Sequence, residues 1–96
     1  MSNVQKILEE RLRKAEERYL YAKTFFEDTK EEFNEVEREH IRKKELGIEV
    51  GYDELLQRDA LYWKVHHVYP CELAKLETRR NTLQECVDVM REANSI

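Results

Sequence analysis

From Leu8 to His40 one stripe of side chains recurs at alternating steps of four and three: Leu8, Leu12, Ala15, Tyr19, Ala22, Phe26, Thr29, Phe33, Val36 and His40. Eight of these ten are apolar, counting Tyr, and no Gly or Pro interrupts the run before Gly47. A heptad kept in step for that distance predicts a long α-helix with a coiled-coil seam, because the helical period stacks such positions on one face. Ser2 followed by Gln5 forms a capping-box start, so the helix is expected over residues 3–46. Glu9 with Arg13, Glu10 with Lys14 and Glu39 with Lys43 stand in the favourable order for i,i+4 support. Arg42, Lys43 and Lys44 lie where the helix dipole favours cations, and Gly47 is the expected left-handed stop.

Residues 47–52 form the one connection, and Asp53 is the predicted cap of a second helix over 53–93. Its seam reads Leu55, Asp59, Tyr62, His66, Tyr69, Leu73, Leu76, Arg80, Leu83, Val87, Met90 and Asn94. The spacing runs across Pro70, which predicts a helix kinked at the proline; a break there, giving three helices, is the alternative. Two seams joined by a short loop fold back as an antiparallel helical hairpin, an all-α fold. The short connection pairs residues whose numbers sum to roughly 98 or 99. That register sets Ala15 by Leu83, Ala22 by Leu76, Phe26 by Leu73, Leu12 by Val87 and Leu8 by Met90. Tyr19 falls opposite Arg80, and His40 opposite Asp59.

A bare hairpin hides one stripe of each helix, and the second helix carries more apolar surface than that. Leu56, Ala60 and Trp63 flank its seam on one side, with Leu61, Val65 and Val68 on the other. A helix apolar nearly all round is buried nearly all round. The expected contact face is therefore Leu56, Ala60, Leu61, Tyr62, Trp63 and Val65, with Tyr69 and Phe25 at its edge. Three coverings are open: a second copy building a two-fold four-helix bundle, a different protein, or the chain collapsing on itself at Pro70. Charge favours self-pairing, since residues 11–23 are net basic while 27–39 hold seven carboxylates against Lys30 and Arg38.

Composition narrows the function. A chain of 96 residues, 40% charged, is expected to be one small helical domain over residues 1–96. A net charge of −4 exerts no strong pull toward nucleic acid or anionic membrane. Arg38, Arg42, Lys43 and Lys44 are interleaved with Glu37, Glu39 and Glu45, and Arg79 with Arg80 is an isolated pair. Cys71 and Cys86 are placed about 22 Å apart on one helix, too far to pair. Free, partly buried thiols fit the reducing cytoplasm. No apolar run reaches the roughly 18 residues of a membrane span, and no signal-peptide core opens the chain.

Candidate chemistry is sparse. Both serines, Ser2 and Ser95, stand at the ends, and Gly47 with Gly51 builds no phosphate loop. His67 one turn before Cys71 lacks a third, orienting group. A metal site is the runner-up: His67 and Cys71 with Asp28 and Glu32, or Glu37 and His40 with Asp59 in a dimer. Glu31-Glu32-x-x-Glu35 resembles the first carboxylate cluster of the all-helical nucleotide pyrophosphohydrolases of the MazG type. Their second cluster, Glu-x-x-Asp, has no counterpart, since Glu54 is followed by Gln57, so the magnesium cage that family implies is incomplete. The length and shape are also similar to small secreted hairpins with a Trp-x-Gly turn, but the connector Glu45–Gly51 holds no Trp. The expected function is a non-catalytic protein-interaction module without cofactor: an adaptor, assembly factor or inhibitor acting through the Trp63 face as a homodimer.

Overall fold

A computed structural model describes residues 3–95 of the chain. Helix α1 runs unbroken from Asn3 to Glu45, and no strand occurs among the described residues. The Ser2 half of the expected capping box lies outside them. Helix α2 spans Tyr52–Trp63, a π-helical turn spans Lys64–Val68, and α3 spans Tyr69–Ser95. The all-helical class expected from the pattern is what the described residues adopt.

The end of α1 is built by its glycine. Gly47 takes φ +71°, the Ile48 N–H reaches the Lys43 carbonyl at 2.8 Å, and the Gly47 N–H reaches Lys44 at 3.1 Å. This Schellman closure satisfies carbonyls that a helix terminus otherwise leaves open. Arg42, Lys43 and Lys44 occupy the last turn, as the dipole favours. The start of α2 departs from expectation. Gly51, in extended backbone, is the residue before the first turn, and Asp53 lies inside that turn beside Glu54. Their charges still face the positive end of the helix, so Asp53 contributes through the dipole and not as a cap.

The described residues fall into two compact units. One joins α1 up to Lys23 with α3 from Glu72. Leu12 and Ala15 are buried in it, and Val87 is wholly enclosed. The Arg80 guanidinium lies over the Tyr19 ring, 4.4 Å from its centroid. Glu9 meets Arg91 at 3.2 Å, and Asn94 donates to Gln5. These pairs run antiparallel in the predicted register, Tyr19 with Arg80 among them.

The other unit is Thr24–Cys71, a complete turn-back through the connection. Phe33 packs with Leu61 and Val65 at its core, and Phe26 and Val36 close over them. Tyr69 meets Phe26 edge-on at 5.9 Å. Lys43 grips both oxygens of Glu54 at 3.0 and 2.9 Å, and Arg58 donates to Glu37. Each of these ties α1 to α2 across the chain reversal.

The return path breaks the predicted seam by one residue. Along α1 the covered positions coincide with the predicted stripe, and from Leu73 through Met90 they do so again. Between them the covered face is Glu54, Arg58, Leu61, Val65 and Val68, each one place before the predicted Leu55, Asp59, Tyr62, His66 and Tyr69, of which Tyr69 alone is also partly covered. The π-helical turn supplies the missing residue: the Tyr69 N–H bonds the Lys64 carbonyl, five positions back. A wider turn inserts one residue without breaking the rod, so two apolar faces out of phase can both point inward. Pro70 then sits in a continuous helix, and neither a break nor a non-helical joint occurs at it. The shift also corrects the tip. Asp59, expected opposite His40, instead touches Arg58 at 3.4 Å, while Arg58 reaches Glu37 and Glu54 meets Lys43.

Candidate protein-binding face

All the residues expected to bind a partner lie in the Thr24–Cys71 unit, and the one-residue shift sorts them. Leu61 and Val65 turn inward onto Phe33 and belong to the core, which corrects their assignment to the contact face. Leu56 and Trp63, seven residues apart on α2, point outward, with Trp63 59% exposed and Leu56 48% exposed. Ala60 is exposed between them. The outward ridge extends to Tyr52 at the start of the helix, a residue the seam reasoning passed over. At its other end the His67 ring stacks on the indole, centroids 4.2 Å apart and planes 34° from parallel. His67 was read as a candidate ligand; its ring instead widens the flat surface that Trp63 presents.

Tyr62 and Tyr69 occupy the margins. Tyr62 is half-exposed, leaning on Phe33 at 5.9 Å and on His66 at 4.3 Å. Tyr69 is partly covered, and Phe25 meets it edge-on at 5.6 Å with half of its own surface open. These aromatic contacts hold the rings in defined poses, which lowers the ordering cost when a ring becomes a contact surface.

Near the chain reversal lies a groove of about 390 Å³ lined by Ile41, Ile48, Val50 and Leu55, with Glu37, His40, Lys44 and Arg58 around it. The loop apolar residues Ile48 and Val50 gave no signal of it, because they belong to neither seam.

Neither metal arrangement assembles within the chain. Among the described residues no group of three His, Cys, Asp or Glu side chains is placed to hold an ion. Cys71 and Cys86 are both free and exposed, not partly buried as expected. Glu37 is taken up by Arg58, and the same guanidinium reaches Asp59, so the ligands imagined across a dimer are engaged within one chain. The acidic stretch Glu31, Glu32 and Glu35 is exposed on α1. No described helix is long and apolar enough to cross a membrane. No protein-family model, curated protein or solved structure matches the chain.

Proposed function

We propose that the chain is a non-catalytic protein-binding module, an adaptor, assembly factor or inhibitor, whose contact is the α2 ridge of Tyr52, Leu56, Ala60 and Trp63. One observation carries this reading: the single Trp of a heavily charged chain stands 59% exposed, stacked on His67 at the end of an outward apolar row. A large aromatic that can be desolvated in a fixed pose is the residue type that dominates protein interfaces. Tyr62, Tyr69 and Phe25 form the margin of the same proposed contact. A second copy seated on α2 would complete a four-helix bundle, and a larger protein would make the chain an adaptor. The free thiols Cys71 and Cys86 fit a reducing compartment such as the cytoplasm.

Because Trp63 is the only Trp, its emission reports the face directly. Acrylamide quenching of the isolated monomer is expected to be efficient, and complex formation to shift the emission to shorter wavelength. Trp63→Ala is expected to abolish the complex with helicity unchanged. An indole shielded from quencher in the monomer, or a complex indifferent to Trp63→Ala, sinks the reading.

A further inference from the structure

The arginines of the unit that joins α1 up to Lys23 with α3 from Glu72 fall into two groups. Three are engaged: Arg13 by Glu10 and Glu17, Arg91 by Glu9, and Arg80 over the Tyr19 ring. The other three, Arg11, Arg18 and Arg79, have no ion pair or hydrogen bond among the described residues. All three line one small hollow, with Lys14 as a fourth cation and the buried Ala15 between them. No carboxylate stands in that lining. Lys14 touches Glu10 only at 4.0 Å, and Arg13 already holds the same carboxylate at 2.7 Å.

The helical repeat builds the cluster within this one unit. Arg11, Lys14 and Arg18, spaced by three and then four residues, share a face of α1. The antiparallel register that lays Arg80 over Tyr19 brings Arg79 alongside them. Cations held around one point repel one another, and an anion seated among them relieves that repulsion.

The lining also selects the anion. Each guanidinium presents a planar fork of N–H donors that meets two oxygens of an oxoanion at once, and it keeps its charge at any ordinary pH. A carboxylate, with one charge and two oxygens, is satisfied by a single fork. A phosphoryl group, with close to two charges and three terminal oxygens, engages several. The hollow has a volume of about 60 Å³, several times the roughly 10–15 Å³ that one water needs, which suits one tetrahedral group and not a length of polymer. The cations converge on a point and form no stripe, so the site is unlike a surface that tracks a nucleic-acid backbone.

We propose that the hollow between α1 and α3 binds a phosphoryl group, free or carried by a small phosphomonoester, through the Arg11, Arg18 and Arg79 guanidiniums with Lys14 beside them. None of these residues belongs to α2, so the site goes beyond the Trp63 ridge and stands or falls independently of it.

The test is NMR titration of the full-length chain at about pH 7.5 and constant ionic strength, with phenyl phosphate, inorganic phosphate and acetate as the three probes. Saturable shifts of the Arg11, Arg18 and Arg79 Nε–H signals are expected, with a dissociation constant on the order of 1 mM for the better phosphate. Acetate is expected to bind at least about 10-fold more weakly. The tighter of the two phosphates names the source, ester or free anion. Arg18→Gln and Arg79→Gln are each expected to weaken phosphate about 5-fold, as exposed charged contacts do. Lys6→Gln removes the same charge outside the hollow and is expected to change nothing. Lowering the pH to about 5 weakens phenyl phosphate, because its second proton binds near pH 6 while all four cations keep their charge. Acetate that binds as tightly as phosphate overturns the proposal. So do shifts that never saturate, or a Lys6→Gln loss equal to that of Arg18→Gln. Should an arginine variant lose helicity, the wild-type comparison of phosphate with acetate decides.

Discussion

Two aromatics of the Thr24–Cys71 unit separate stability from contact at the level of single side chains. Phe33 is buried against Leu61 and Val65, whereas Trp63 is largely in water. Phe33→Ala is expected to cost about 3–4 kcal/mol in urea unfolding, by lost burial and the cavity left behind. Trp63→Ala is expected to stay within about 1 kcal/mol, since little around an exposed side chain collapses. Gly47 makes a different kind of contribution. A Cβ added there meets nothing within 4 Å, yet φ is +71°. Gly47→Ala is therefore expected to destabilise by about 1 kcal/mol through backbone strain alone, with no repacking visible in chemical shifts elsewhere. Among the described carboxylates, Glu10 carries the one clear perturbation. Its hydrogen bond from Arg13 holds it below its ordinary value, so any support it gives is present at neutral pH and lost as pH falls through that lowered value. With about half of each side chain in water, the pair is screened and contributes little.

Among the elements, the π-helical turn is the one that decides how the return path packs. Two causes present themselves: Pro70, which has no N–H and crowds the preceding turn, and the phase difference between the inward rows on either side. The phase difference is the stronger. Straightening the turn into α-helix would rotate Leu61 and Val65 out of the core by about 100°. Each buried aliphatic side chain loses roughly 1.5–3 kcal/mol on exposure, so two of them outweigh one imperfect turn. Pro70→Ala should then stabilise the chain by about 1 kcal/mol and keep the π-helical turn, as amide hydrogen-bond couplings would report. A turn that becomes plain α-helix in that variant would make the proline its cause. The link between α1 and α2 is milder. Glu54→Gln removes the half-exposed bridge to Lys43 and is expected to cost about 0.5 kcal/mol, less in high salt.

For the molecule as a whole, charge arrangement matters more than net charge. A value of −4 describes a mildly acidic protein, yet the excess is uneven: Thr24–Cys71 holds twelve carboxylates against seven Lys and Arg, and the other unit nine against ten. Self-pairing through the Trp63 ridge predicts a dimer that strengthens in salting-out anions, because burial of apolar surface is favoured there. Sedimentation across a sodium sulfate series checks this without any substitution, and a dimer that weakens as sulfate rises does not use the ridge.

Much of this was legible in the chain itself. The α1 stripe from Leu8 to His40, the stop at Gly47 and the pairing of Tyr19 with Arg80 follow from period, turn chemistry and a short connection, all local rules. What the tertiary structure decided was phase. An α-helix and a helix holding one π-helical turn share a pattern up to a one-residue slip, and the slip is chosen by which side chains fit Phe33. That choice took Leu61 and Val65 from the proposed face into the core, left Trp63 and Leu56 outside, and set Asp59 against Arg58. Arg79 comes beside Arg11, Lys14 and Arg18 by the same register that lays Arg80 over Tyr19. Periodicity determines that a face exists; only packing against a partner helix determines which residues it contains.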